Sequence, residues 1–434
     1  MLKQLKYIYD FLPKRYLSFI KYIPDRALFG KSYIDWQTKI SFDKNIISQK
    51  LYDTMMYSKK HTKYGQENIP DNLSMENVKD VLASLPIISS YDLATNLPYY
   101  TSDSFNKLNS YYTATGGTGR NPTTILLSNE LFGIEWAHVH HMWSLSGYDR
   151  INHIKLTLRG KSLKRDSLVE YNPIYNELVV DTFKVRDSNF LKLKKELQKY
   201  NIKYIHGYTS LVKEYMIYFE RYNLKLNLDG ILLASEAASV EDKKMITSFF
   251  KCKVVSFYGQ SERALIAVDE KNNGMYKVYT SYGYPRIVEG ELVITSFVNR
   301  ALPLINYKIG DGAEIIEDNQ CIYIRNVTSR WGKDFIYLDK NKKISTTAIN
   351  IHSMVQDELL YYQIHQDEYA KITIKIVQKS TSDMESEKLL EVFYSEMKNN
   401  LKDFQIDLKL VDQSKIVKSK RGKMMFLVQK IDLD

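Results

Sequence analysis

After a pair of tyrosines and before an apolar run, the chain carries Thr113-Ala114-Thr115-Gly116-Gly117-Thr118-Gly119-Arg120-Asn121-Pro122. Glycines admit positive φ and let successive backbone N–H groups point into one concave anion nest. Thr115 and Thr118 add hydroxyl donors, and a hydroxyl such as that of Thr118 can also face a metal ion riding on phosphate. The chemistry that suits these residues is capture of a nucleotide's polyphosphate. No Lys-Ser/Thr pair follows the last glycine, so this is not a Walker A loop. An ordinary glycine turn has the same composition, and the segment alone does not separate the two readings.

Three further motifs follow in order. Tyr258-Gly259-Gln260-Ser261-Glu262 comes after the apolar run Val254 to Phe257. Tyr307-Lys308-Ile309-Gly310-Asp311 comes after Pro303-Leu304-Ile305, and Arg421-Gly422-Lys423 stands near the C-terminus. A Thr/Gly loop, then YGxSE, then YxxGD, then a late GK resembles the adenylate-forming enzyme superfamily. Within it the chain is most similar to the phenylacetate–CoA ligase/CapK family, whose capsule-type members sit in polysaccharide biosynthesis. The resemblance runs from about Leu85 to Lys423.

The resemblance implies an ATP- and Mg²⁺-dependent ligase. A carboxylate attacks the α-phosphate of ATP, a step that needs stabilised phosphate charge and an oriented pyrophosphate leaving group. Thr115, Gly116, Gly117, Thr118 and Gly119 would supply donors to the β- and γ-phosphates. Glu262, with Thr118, would hold Mg²⁺, a hard cation that takes carboxylate oxygen and keeps several waters. Asp311 would accept both ribose hydroxyls, and Arg330 matches a ribose-contacting arginine. Tyr258, followed by Gly259 and Ser261, would stack on adenine, whose edge Ser235, Glu236 and Ala237 would line. Lys423 would bridge the carboxylate and the α-phosphate. The resemblance also puts a residue of the helix Trp136–Trp143 at the acyl pocket, here His140 or His141, with Gly207 and Tyr208. A metal at this His-x-His-His run is not assigned, because no carboxylate or Cys stands at ligand spacing.

The chain departs from the family pattern at Gly117, where a hydroxyl residue is usual, and at Asn121, which is inserted before Pro122. Ser329 replaces a glycine, and Trp331-Gly332 adds a residue before Lys333 and Asp334. The expected second half-reaction is acyl transfer to an amine, giving an amide in surface-polysaccharide (capsule or O-antigen) tailoring, on a nucleotide sugar or glycan precursor. One alternative is transfer to CoA as a thioester. Another is a nucleotide-binding assembly protein without turnover, against which Glu262, Asp311 and Lys423 argue.

Composition agrees with an enzyme of this kind. The 434 residues suggest two or three domains. No apolar run reaches the ~18 residues of a membrane span. The N-terminus is basic but lacks an uninterrupted apolar core and a small-residue cleavage site, so a cytoplasmic protein is expected. Cys252 and Cys321 form no disulfide framework or CxxC pattern. The net charge of +10 favours anionic partners, yet no basic run interleaved with aromatics suggests nucleic acid. Residues 2–22 place Leu5, Ile8, Tyr9 and Leu12 at helical spacing among lysines and arginines. That helix could rest on the anionic inner membrane surface or pack on the main domain, and Pro13 interrupts it.

The elements that must position these residues alternate. Strands are predicted at 202–205, 231–234 and 254–257. Helices are predicted from Thr209 or Ser210 to Arg221, and from Ser239, capped with Asp242, to Phe250. This β-α-β-α-β run implies a parallel sheet whose ligands lie beyond the carboxyl ends of the strands. Gly207-Tyr208, Ser235-Glu236 and Tyr258–Glu262 should therefore face one crevice. Short strands at 275–280, 291–296, 304–307 and 321–325 predict a barrel-like subdomain. Strands near 369–377 and 406–411 with a helix at 385–401 predict a small C-terminal unit. The fold class is thus α/β, with a large N-terminal domain at 1–329 and a small α+β lid at 330–434. The large domain divides into a helical part at 1–84, an α/β core at 85–274 and barrel-like strands at 275–329. The hinge falls at 329–334.

Overall fold

The structure, a computed structural model, describes residues 14–114, 124–159, 161, 163, 167–328, 335–340, 342–345, 355–379, 382–418 and 425–431. A 3₁₀ segment, Lys14–Tyr22, leads into helices α1 (Asp25–Phe29), α2 (Lys31–Gln37), α3 (Ile47–His61), α4 (Lys63–Asn68), α5 (Val78–Ser84) and α6 (Ser90–Tyr100). Next come β1 (Ser110–Ala114), β2 (Thr124–Ser128), α7 (Glu130–Ser144), β3 (Ile154–Leu158), β4 (Val169–Asn172) and β5 (Glu177–Val180). The alternating stretch follows: α8 (Asp187–Leu197), β6 (Ile202–Gly207), α9 (Thr209–Arg221), β7 (Gly230–Leu233), α10 (Val240–Phe250) and β8 (Lys253–Gly259). Six strands come after it: β9 (Ile266–Asp269), β10 (Tyr276–Val278), β11 (Gly283–Val288), β12 (Glu291–Ser296), β13 (Tyr307–Glu317) and β14 (Ile322–Thr328). The last elements are β15 (Phe335–Tyr337), β16 (Lys343–Ser345), α11 (Val355–Glu358), β17 (Leu359–Glu368), β18 (Lys371–Gln378), α12 (Ser386–Asn400), β19 (Gln405–Leu410) and β20 (Leu427–Gln429).

Local chemistry accounts for several boundaries. The Ser239 hydroxyl accepts from the Asp242 N–H at 2.9 Å, and Asp242 accepts from the Ser239 N–H at 3.2 Å. This reciprocal cap starts α10 where the Ser239/Asp242 spacing predicts. An equivalent box of Ser89 and Asp92 starts α6.

Contacts divide the chain into two compact units. The first comprises Met1–Lys155, Tyr171–Glu177 and Leu228–Thr328. Its strands run β11-β12-β13-β14-β10-β9-β8-β7. Strands β7 and β8 are parallel, with Leu233 opposite Ser256, whereas β8 and β9 are antiparallel. The short strands predicted as a barrel-like set thus hydrogen-bond onward from the parallel strands. The strand predicted at 304–307 begins only at Tyr307, because Asn306 turns the backbone to φ +52°. Behind the sheet, Lys243 of α10 and Asp269 of β9 form a fully buried ion pair at 2.5 Å. Asp269 also accepts from the Gly274 N–H at 2.9 Å. Removing one partner of such a pair strands a buried charge. Asp269→Ala is therefore expected to destabilise the fold by about 3–5 kcal/mol. Urea unfolding checks this, and a loss within experimental error of zero would contradict it.

The second unit comprises Leu156–Glu170, Leu178–Asn227 and Ser329–Asp434. Strands β3 to β6, most of whose residues lie in it, run β6-β3-β5-β4. Its other large sheet runs β19-β18-β17-β20. Antiparallel β17 and β18 sit between parallel partners β20 and β19. One face of β17 and β18 puts Ile364, Ile372, Ile374 and Ile376 against Leu389, Phe393 and Met397 of α12. Alternation at period two on β18 and helical spacing on α12 make this an α+β core.

Candidate active site

The candidate site starts from the residues that follow the carboxyl ends of β7 and β8. Strand β8 ends at Gly259, paired with Ile266 of β9, so residues 260–265 form the connecting loop. That loop braces itself. The Arg263 N–H donates to the Gln260 carbonyl at 3.1 Å, and the Leu265 N–H donates to the Gln260 side-chain oxygen at 3.2 Å. Glu262 rides on this loop and is buried to 2% exposure. A carboxylate held there is not a solvated strand-end group, because burying a charge is costly without a compensating partner. Gly259 is exposed, and a Cβ on it would make only ordinary contact with the Phe257 ring at 3.6 Å. Packing therefore does not require a glycine at this strand end.

Beyond β7, Ser235 adopts φ +66° although it is not glycine. Such backbone costs on the order of 1–3 kcal/mol and collects at functional sites. The last pair of the register is Leu233 with Ser256, and Ser235 and Tyr258 each follow it by two residues along the chain. Glu236 is half-buried and Ala237 exposed on the same turn.

Asp311 comes from a different element. On β13, Lys308 pairs with Val293 and Gly312 with Glu291, so four steps on β13 match two on β12. Gly310, at φ +89°, lies inside this irregularity. A bulge of this kind re-aims side chains and is frequent beside active sites. Here the Tyr258 hydroxyl donates to Asp311 Oδ2 at 2.7 Å. Burial of the ring, followed by the neighbouring Asp311 carboxylate, pushes the Tyr258 phenol well above its usual range. Tyr258 is therefore a fixed donor at neutral pH, and it orients Asp311.

Among the described residues no group of three or more His, Cys, Asp or Glu could hold a metal ion. A single carboxylate such as Glu262 fits Mg²⁺, which commonly takes one or two carboxylates plus substrate phosphates and water.

His140 and His141 sit near the C-terminal end of α7 and line a cavity of about 310 Å³ with Tyr33, Tyr148 and Arg150. His140 Nδ1 lies 2.8 Å from the Tyr33 hydroxyl, and His141 Nδ1 lies 2.9 Å from the Tyr279 hydroxyl. Burial, with Lys155 and Arg150 nearby, lowers His140 to about 3, and burial lowers His141 as well. Both rings are uncharged at neutral pH. In the second unit, Gly207 closes β6, where a Cβ would come within 2.5 Å of the Leu158 carbonyl. The buried Tyr208 ring carries the Arg159 guanidinium at 5.4 Å. Thr115, Gly116, Gly117, Thr118, Gly119, Arg330 and Lys423 lie outside the described residues, as does the hinge at 329–334.

The residues flanking 419–424 are described. Buried Gln363 donates to the carbonyls of Val417 at 2.9 Å and Met425 at 2.5 Å, and accepts from the Val417 N–H at 2.9 Å. Lys418 pairs with Glu214 of α9. Sequence reasoning missed this bracing and also the antiparallel pairing of β1 with β2. The Tyr- and Thr-containing run Tyr111-Tyr112-Thr113 before the Thr/Gly segment was the available signal for β1.

No family model matches the chain. In sequence it is similar to Protein CapK of Staphylococcus aureus, at 22% identity over 355 residues, covering 77% of this chain and 78% of that protein. In structure it is similar to 2-hydroxyisobutyryl-CoA ligase in the postadenylation state in complex with 2-HIB-AMP, with a TM-score of 0.62 at 14% identity, covering 90% of this chain and 91% of that one. It is also similar to the GH3.15 acyl acid amido synthetase in complex with 2,4-DB, with a TM-score of 0.54 at 11% identity, covering 88% and 89%. The shared fold spans nearly the whole chain. The chain thus shares the fold of these acyl-activating ligases and a likeness in sequence to CapK.

Proposed function

We propose that this protein activates a carboxylic acid with ATP as an acyl-adenylate, releasing pyrophosphate, and then passes the acyl group to an amine. The observation that carries this reading is the pairing of Tyr258, near the end of β8, with Asp311 at the bulge in β13, beside Glu262 buried in the loop after β8. Asp311, oriented by the Tyr258 hydroxyl, would accept both ribose hydroxyls. The Tyr258 ring would lie against adenine, with Ser235, Glu236 and Ala237 along its edge and Arg330 at the ribose. Thr115 to Gly119 would hold the β- and γ-phosphates. Glu262, with Thr118, would hold Mg²⁺, which would neutralise charge on the departing pyrophosphate. Lys423 would stabilise charge building between the carboxylate and the α-phosphate. His140, His141, Gly207 and Tyr208 are the proposed acyl-pocket residues.

The amine acceptor and a role in surface-polysaccharide tailoring rest on the likeness to CapK. Transfer to CoA is the second reading, favoured by the CoA ligase among the similar structures. Once an activating acid is known, incubation with CoA, hydroxylamine or amino sugars separates these readings by product mass. Amide with no thioester supports the first, and thioester alone overturns it.

No helix among the described residues is long and apolar enough to cross a membrane. The N-terminal segment exposes Phe19 (65%) and Tyr22 (63%) close to Lys21, Arg26 and Lys31. Aromatic and basic groups together suit the surface of an anionic bilayer. Flotation with vesicles rich in phosphatidylglycerol is expected to carry the protein, and Phe19→Ser with Tyr22→Ser to reduce this severalfold. Equal recovery with neutral vesicles would contradict the contact.

A further inference from the structure

Arg263, next in sequence to Glu262, fastens three elements of the first unit together. Its Nε lies 2.6 Å from Glu135 Oε2 on α7. Its Nη1 donates to the Tyr111 hydroxyl on β1 at 3.1 Å, across 152 residues of sequence. Its own backbone is held as well. The N–H donates to the Gln260 carbonyl at 3.1 Å, and the carbonyl accepts from the Ser296 hydroxyl at 3.4 Å. Arg263 keeps this place at φ +51°, a conformation that L side chains other than Asn, Asp and Gly seldom adopt.

The elements it joins matter. Tyr111 sits on β1 opposite Leu127 of β2, and the Thr/Gly segment at 115–123 is the connection between these two strands. Glu135 lies on α7, which begins at Glu130, directly after β2. One guanidinium therefore ties strand β1 and helix α7 to the loop bearing Glu262. A planar fork with several fixed N–H directions can hold two partners at a set angle, whereas an ammonium is a point charge. A plain core staple would be dry, as Lys243–Asp269 is at 0% exposure for both side chains. The Arg263 and Glu135 side chains instead keep 20% and 29% exposure.

We propose that Arg263 is a positioning residue, which holds the loop bearing Glu262 against strand β1 and helix α7 and so serves binding of the β- and γ-phosphates. This rests on the adenylation reading above. It acts through Glu262 and Tyr111 and need not touch nucleotide. The nucleoside and α-phosphate end, held by Tyr258 and Asp311, should be indifferent to it.

The test compares a non-hydrolysable ATP analogue with AMP by calorimetric titration, in the presence of Mg²⁺. Arg263→Lys keeps the charge but not the fork, and is expected to weaken the ATP analogue by on the order of tenfold. Tyr111→Phe removes one hydrogen bond and is expected to weaken it by about fivefold. AMP affinity should stay within about twofold of wild type in both, so the loss falls on the phosphates alone. Equal loss for AMP and the analogue would mean general damage and would overturn the proposal. Unchanged analogue affinity in both variants would overturn it as well. A wild-type protein that binds neither nucleotide would instead overturn the adenylation reading, and the proposal with it.

Discussion

Glu262→Gln is expected to lower acid-dependent ATP–pyrophosphate exchange by about 10²–10³-fold, the usual cost of losing one electrostatic contact to a developing charge. The substitution keeps shape and removes only charge. Glu262 is 2% exposed on the loop after β8, a loop whose backbone is braced through Gln260. Mg²⁺ prefers ionised oxygen and loses it in this variant. AMP binding should persist, because Tyr258 and Asp311 are untouched. Far-UV dichroism and AMP titration establish that the variant is folded, and exchange at saturating Mg²⁺ reads the effect. Exchange within about threefold of wild type would contradict the metal assignment.

Lys423→Ala is expected to reduce adenylate formation by at least about 10³-fold while changing ATP affinity by no more than about threefold. The reasoning is one of charge and place. Lys423 stands in Lys418-Ser419-Lys420-Arg421-Gly422-Lys423, late in the chain, whereas the other motif residues precede Phe335. Lys418 is engaged with Glu214, and Gln363 holds both Val417 and Met425. The backbone on each side of the Gly-Lys pair is thus fixed by a buried amide rather than left as a solvated tail. If the lysine acts only while the α-phosphate is attacked, transfer from a chemically supplied acyl-adenylate should survive. The two half-reactions must therefore be measured apart. Normal adenylate formation, or loss of transfer alone, would contradict the role.

Much of the fold is legible in the sequence, for reasons that can be named. α9 spans Thr209–Arg221, as the apolar spacing of Leu211, Tyr215, Tyr218 and Phe219 predicts. α10 begins at its Ser239/Asp242 cap, and β12 spans Glu291–Ser296 as predicted. Local periodicity and local hydrogen bonding fix such elements. Strand β17 was not legible. Its run LLYYQIHQDE is polar at Gln363 and Gln366, both fully buried. Those amides are buried because they bond to the backbone of Val417, Met425 and Tyr337, contacts far away in sequence. The sequence pattern places strand β13 too early because its apolar approach, Leu304 and Ile305, is buried without being extended into a ladder.

The motif carboxylates were legible as residue types, but their geometry was not. Nothing in YGQSE or YKIGD announces that Tyr258 donates to Asp311, since the two are 53 residues apart and meet only through the bulge in β13. Arg263 was overlooked for the same reason. Its partners, Glu135 and Tyr111, lie on α7 and β1, and only the tertiary fold brings them to it.

ATP–pyrophosphate exchange across a panel of carboxylic acids tests the central claim most directly. The panel should span short aliphatic, hydroxy, aryl and amino acids, with Mg²⁺ present and no acceptor added. The account expects label to pass from pyrophosphate into ATP with at least one acid, well above the acid-free background, and to be lost in Glu262→Gln. Exchange that no acid supports, from a protein that nonetheless binds ATP and turns it over to ADP and phosphate, would contradict it.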